Sequence, residues 1–191
     1  MTDDISELLA RTIVAPGPLL IVLAGPNGSG KSTFFDVYLR ASGIQFVNTD
    51  EMAKALGGSD ALPDSYAAAR IADQIRRDLV ARRERFCMET LLSDPAGEKV
   101  SFLRDARSEG YRVLLIAIRL ESPELSMARV QQRVETGGHD VPDEKLVARF
   151  PRTQANIKTA LAFVDIALVF DNSRGDLPFQ HVETWLAGRR V

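Results

Sequence analysis

Residues 19–34 read LLIVLAGPNGSGKSTF, and this stretch decides the fold. Leu19–Ala24 is a continuous apolar run, the pattern of a central parallel strand buried on both faces. Three glycines and a lysine follow, and Lys31–Ala41 is then expected to be helical, with Phe34, Val37 and Tyr38 packing under the sheet. Gly25-Pro26-Asn27-Gly28-Ser29-Gly30-Lys31-Ser32 satisfies G-x-x-x-x-G-K-[ST] at every fixed position. Glycines there let the backbone turn its N–H groups inward around a phosphate, and the helix start adds its positive end. Gly25, Asn27, Gly28, Ser29 and Gly30 are thus the expected cradle, with Lys31 reaching the β- and γ-phosphates. Ser32 is the expected Mg²⁺ ligand, and Thr33 touches the α-phosphate. ATP or GTP with Mg²⁺ is the implied cofactor. A dinucleotide fold is disfavoured by the glycine spacing.

Outward from this loop, apolar runs alternate with helical patterns. Gln45–Asn48, "RFCMET", Val113–Ile118 and "DIALVF" (165–170) are expected strands. Residues 66–84 repeat Ala68, Ile71, Ala72, Ile75 and Leu79 at helical spacing, with Arg70, Asp73, Arg76, Arg77 and Asp78 expected outward. "PAGEKVSFLRDARSEG" is a helix closed by Gly110. Ser122 or Pro123 starts another, and Asp143 or a neighbour begins one that runs to about Leu161. Residues 181–188 are expected to close the chain as a short helix. The order predicts a three-layer α/β fold with a mainly parallel sheet, of the P-loop NTPase, nucleotide-kinase-like kind. At 191 residues it is expected to be one domain, with 122–160 as a small helical lid.

Composition narrows the function. Lys and Arg total 24 against 26 acids, so a continuous basic groove for nucleic acid is not expected. The single cysteine, Cys87, excludes an internal disulfide framework and is expected as a small buried core residue. With two histidines far apart, no His/Cys metal cluster is visible. The N-terminal residues lack a signal-peptide pattern, and no stretch is apolar enough to span a bilayer, so a cytoplasmic location without a membrane partner is expected.

Ligands of open α/β sheets sit beyond the carboxyl ends of the strands. Asp50 and Glu51 follow the second strand there, and Glu89 and Thr90 end the third. A phosphotransferase needs a carboxylate beside the acceptor hydroxyl. Asp50 is the expected base, with helix capping as its alternative; Glu51 lies beside it on the acceptor side. Glu89 is a candidate for holding the acceptor or a magnesium-bound water, or else an ordinary strand-end polar residue, and Thr90 offers a hydroxyl to the same place. Arg133, Arg149 and Arg152 are candidates to clamp the transferred phosphoryl group, against the alternative of a solvated basic face. Arg129 is a weaker candidate, His139 a loop contact, and Asp171 or Asn172 an adenine-side contact or a cap. The basic stretch 76–85 is expected as helix surface.

"LAGPNGSGKST", "NTDEMAK", "MET" and above all "RVETGGHDVPDEKLVARFPRTQANI" resemble the zeta toxin-like P-loop kinases, in particular their small stand-alone bacterial members. The resemblance covers about residues 18–173. In well-studied zeta toxins, ATP phosphorylates a hydroxyl of a UDP-activated amino sugar, and a small antitoxin restrains the toxin. By position the resemblance implies Lys31 as the phosphate lysine, Ser32 as the magnesium ligand and Asp50 as the base. It implies Glu89 and Thr90 as the acceptor-side acid and its neighbour, and Arg133 as the first clamping arginine. Where the family places a second clamping arginine, this chain has His139, which leaves Arg149 or Arg152 for that role. The implied activity is ATP-dependent transfer to a small-molecule hydroxyl. Its alternatives are a P-loop ATPase or regulatory module, and a polynucleotide 5′-kinase.

Overall fold

In the computed structural model, the described residues are 2–49, 52, 62–138 and 140–191. They contain one seven-stranded sheet with strand order β2-β3-β1-β4-β5-β6-β7. β1 (Leu19–Ala24), β2 (Gln45–Val47), β3 (Phe86–Thr90), β4 (Arg112–Arg119) and β5 (Ile166–Asp171) run parallel. β6 (Gln180–Leu186) and β7 (Arg189–Arg190) add an antiparallel hairpin at the edge. All six residues of β1 are buried, as a strand covered on both faces requires.

Side-chain alternation divides the core in two. Leu20, Val22, Met88, Val113, Leu115 and Val169 face α3 (Leu62–Ala81), α4 (Glu98–Ser108) and α6 (Asp143–Leu161). Leu19, Ile21, Cys87, Leu114, Ile116 and Leu168 face α1 (Thr2–Val14) and α2 (Lys31–Phe34) with its continuation to Leu39. This is the three-layer arrangement expected from the sequence. α5 (Pro123–Glu135) instead meets the start of α6 through a separate small cluster of Val130, Val141 and Leu146. That pair is the helical lid of the fold.

Several boundaries follow from local chemistry. Ser122 caps α5 by accepting a hydrogen bond from Leu125 N at 3.2 Å, with Pro123 in the first helical turn. α6 runs through Pro151, which lacks the N–H that an interior helical residue donates. Its Asn156 Nδ2 donates to the carbonyl oxygens of Leu92 and Asp94, at 2.8 and 3.1 Å, and so holds the loop that leaves β3.

Three expectations are corrected. Residues 181–188 form no helix: Gln180–Leu186 is strand β6. The stretch HVETWL alternates along a strand, and Ala187 and Gly188, with φ of 48° and 77°, turn the chain into β7. Val37 and Tyr38 are exposed, while Phe34, Phe35 and Leu39 are buried. The helix widens into a π-turn over Phe35–Leu39, so the α-helical period no longer predicts its inner face. On α3, Ile71 is 41% exposed and Arg76 only 3%, the reverse of the expected polarity. Asp50, Glu51 and His139 lie outside the described residues, as do residue 1 and residues 53–61.

Cys87 is fully buried in β3, as expected. Burial, and then the charge of Glu89, push its thiol well above the usual range. A thiol shifted upward stays protonated through neutral pH, and the thiolate is the reactive form. Ellman's reagent at about pH 8, near the ordinary cysteine value, is therefore expected to leave the folded protein unmodified. One thiol should react after denaturation.

Candidate active site at the phosphate loop

The parallel register sets the site. Leu23 pairs with Glu89 and Ala24 with Thr90 and Ala117, so the ends of β3 and β4 flank the start of the loop. Glu89 shares its face with Cys87, the face that carries α2. Its carboxylate therefore meets the loop: Ser32 Oγ donates to Glu89 Oε2 at 2.8 Å, and Lys31 Nζ lies 3.8 Å from Oε1. Asn48, one residue beyond β2, donates from Nδ2 to Oε2 at 3.0 Å. Lys31 is 6% exposed, and its ammonium also donates to Pro26 O at 3.0 Å. Thr90 falls on the opposite face, where its hydroxyl oxygen accepts from Leu92 N at 3.1 Å and shapes the turn.

The loop is braced from behind by residues whose part the sequence did not reveal. Gly28 and Gly30 have φ of 70° and 88°, values that glycine adopts without strain. A Cβ on Gly25 would lie 2.3 Å from Ile118 O, so the loop can pass β4 only without a side chain there. Asn172, expected near adenine, is buried and turned onto the loop instead. Its Nδ2 donates to Ser29 O at 2.9 Å, and its Oδ1 accepts from Phe179 N at 3.1 Å. Asp171 accepts from Ser173 N at 2.7 Å and stabilises that turn. On α5, Ser126 Oγ donates to Asn27 O at 2.8 Å. Arg129 reaches Gly28 O at 3.4 Å and Ser173 O at 3.3 Å. The arginine ranked lowest in the sequence is thus the one that spans the loop and the segment after β5. The only signal in the sequence was its spacing from Ser126, three residues apart on one helix face.

The other arginines sit in the lid. Arg133 lies in the last turn of α5, where its backbone O accepts from Gly138 N at 2.9 Å. Arg149 and Arg152 are half-buried on α6. The buried Nε of Arg152 makes no hydrogen bond among the described residues.

Among the described residues no three His, Cys, Asp or Glu side chains gather as a metal cluster. Mg²⁺ seldom uses such a cage; it binds through one or two protein oxygens together with substrate phosphates. The adjacent Ser32 hydroxyl and Glu89 carboxylate are such a donor pair. A groove of about 590 Å³ lies elsewhere, at the amino ends of β4 and β5, lined by Arg104, Arg107, Arg112, Phe163 and Asp165. Its charges serve the fold: Arg107 pairs with Asp165 at 2.9 Å, and Asp165 also accepts from Val113 N at 2.9 Å. No described helix is long and apolar enough to cross a membrane.

A phosphate loop between β1 and α2, a parallel sheet and a helical lid define a P-loop NTPase fold of kinase-like form. The chain belongs to the AAA domain family, which matches residues 20–152. It is 27% identical over 130 residues to an uncharacterized protein of Haemophilus influenzae, covering 68% of this chain and 91% of that one. Among solved structures it resembles the AvrRxo1-ORF1:-ORF2 complex with ATP, with a TM-score of 0.72 at 18% identity. That match covers 98% of this chain and 66% of the other, so the chain spans just under two thirds of its length. It also resembles the PezAT toxin–antitoxin system of Streptococcus pneumoniae, with a TM-score of 0.61 at 16% identity, covering 95% and 80% of the two chains. At such identities the likeness shows the fold.

The close approach at Gly25 gives a direct test. Gly25→Ala drives a methyl group into a backbone carbonyl that cannot rotate away, which is expected to destabilise the protein by about 1–3 kcal/mol and to weaken ATP binding. Gly175→Ala, where a Cβ meets nothing within 4 Å, is expected to stay within about 0.5 kcal/mol of wild type. Thermal melts and calorimetric ATP titrations measure both.

Proposed function

We propose that this protein is an ATP-dependent phosphotransferase that passes the γ-phosphoryl group to a hydroxyl of a small molecule. The observation that carries this is the meeting of Lys31, Ser32 and Asn48 on the carboxylate of Glu89, at the carboxyl edge of the sheet. A phosphate loop alone serves motors, switches and hydrolases equally well. Here the end of β2, which leads directly into Asp50, is tied through Asn48 to the same carboxylate as the loop. The donor site and the end of β2 thereby share one anchor.

In this reading the loop N–H groups hold the β-phosphate, and Lys31 exchanges its bond to Pro26 O for the β- and γ-phosphates. Ser32 and Glu89 are the residues that would hold Mg²⁺, which would supply positive charge against the charge developing on the phosphates. Glu89 is therefore assigned to the metal side. Asp50 accepts the proton of the acceptor hydroxyl as its oxygen bonds to the γ-phosphorus and the bond to the β-phosphate oxygen breaks, with ADP leaving. Glu51 and Thr90 belong to the acceptor side. Arg133, with Arg149 or Arg152, spreads the charge of the transferring group and closes the lid, residues 122–160, against water. A UDP-activated amino sugar is the acceptor that the zeta toxin resemblance suggests. The PezAT structure is of a toxin–antitoxin system, and an antitoxin-like protein partner is part of the same proposal.

Incubation with γ-labelled ATP, Mg²⁺ and a soluble metabolite extract tests the reading. Label is expected in a small molecule. Asp50→Asn should lower the transfer rate by about 10²–10⁴-fold, and Lys31→Ala should abolish it. Release of inorganic phosphate alone, unchanged in Asp50→Asn, would instead make the protein an ATPase without that base.

A further inference from the structure

α3 turns one charged side chain into the core. Arg76 lies on the stripe of Ala68, Ala72 and Leu79 and is 3% exposed. Its Nη1 donates to Asp73 Oδ1 at 2.6 Å, and its Nη2 to Thr49 Oγ1 at 3.3 Å. The buried Nε makes no hydrogen bond among the described residues. Asp73 is shared, because Lys99 Nζ donates to the same oxygen at 2.5 Å. Two cations thus stand against one carboxylate in this group, a net charge of +1. Burial is the largest influence on both Arg76 and Asp73. It lowers Arg76 against the pull of Asp73, and it raises Asp73 less than the bonds and charges of Lys99 and Arg76 lower it. Arginine stays charged at neutral pH regardless.

Stability does not account for this arrangement. An apolar side chain of similar length in the stripe would fill the space without desolvating a charge, and replacing a whole buried ion pair in this way is commonly neutral or stabilising. Nor would removing Arg76 leave a buried anion alone, since Asp73 is 45% exposed and keeps Lys99. What Arg76 does reach is the end of β2. Asn48 and Thr49 lie just past the strand, where Thr49 is already helical and Met52 N donates to Asn48 O at 3.1 Å. Asn48 bonds Glu89 and Thr49 meets Arg76, so two consecutive residues are held by different partners immediately before Asp50.

We infer that Arg76 is a positioning residue for phosphoryl transfer: through Thr49 it fixes the course of the chain from which Asp50 is presented. This rests on the reading of Asp50 as the base.

The test uses the full chain with γ-labelled Mg·ATP and the soluble metabolite extract as probe. Arg76→Met is expected to slow label transfer by about tenfold to a hundredfold, the scale of a small misplacement of a reacting group. Its calorimetric ATP affinity should stay at the wild-type value, and its melting temperature should hold or rise. A purely structural role would instead lower the melting temperature and leave the rate per folded molecule intact. Arg76→Lys should recover only part of the rate, because an ammonium cannot make both contacts of the fork. Thr49→Val removes the accepting hydroxyl and should slow transfer too, with no further loss when combined with Arg76→Met. If Arg76→Met does not fold, Thr49→Val decides. Wild-type transfer in Arg76→Met, or in Thr49→Val where that variant decides, with Asp50→Asn inactive, overturns this inference alone. Wild-type transfer in Asp50→Asn overturns the base and the positioning role together.

Discussion

The carboxylate of Glu89 is the constraint on which the rest of the site depends. Its side chain is 14% exposed and lies at the end of β3, next to the strand that feeds the phosphate loop. A carboxylate so nearly buried needs charge and hydrogen bonds around it. Ser32, Asn48 and Lys31 supply them from two other segments of the chain. One anion thereby joins the loop, the start of α2 and the end of β2. The same anion pushes the neighbouring Cys87 thiol upward, after burial itself.

Around this anchor, strand alternation assigns the other parts. Residues sharing a face with Cys87 meet the phosphate loop; those sharing a face with Met88 meet α3, α4 and α6. Glu89 falls on the first face and Thr90 on the second; just past β2, Asn48 bonds Glu89 and Thr49 meets Arg76. On the second face Asn156 holds the carbonyls of the loop after β3. Asp94 in that loop accepts from Glu98 N at 2.5 Å at the start of α4, and Lys99 of α4 reaches back to Asp73 on α3. The donor side is built by the loop, Asn172, Ser126 and Arg129. The other face of the sheet is covered by α3, α4 and α6.

Much of this was legible in the sequence, for reasons that can be located. The phosphate loop is local, and each of its fixed positions has a backbone reason. The continuous apolar runs of β1 and β4 are the mark of strands covered on both faces, and α6 matched its expected span from Asp143 to Leu161. Arg76 shows how a correct period can be misread. Its spacing from Ala72 and Leu79 put it on the inner stripe, and its charge argued for the outer one; tertiary partners at Asp73 and Thr49 favour the spacing. β6 was misread because HVETWL is short and its alternation competes with a helical reading until β5 offers a ladder. The contacts of Arg129 and Asn172 with the loop were not legible in the sequence. Their partners, Gly28 and Ser29, lie about a hundred or more residues away and are joined only when β4 and β5 align beside β1.

The proposed roles of Glu89 and Ser32 make the loop a site for Mg·ATP rather than for phosphate alone. Calorimetric titration with a non-hydrolysable ATP analogue, with Mg²⁺ and with EDTA, in wild type and Glu89→Gln, tests it most directly. Wild type should bind more tightly with Mg²⁺, and Glu89→Gln should keep its metal-free affinity while losing most of that gain. Full Mg²⁺ enhancement in Glu89→Gln would contradict the account.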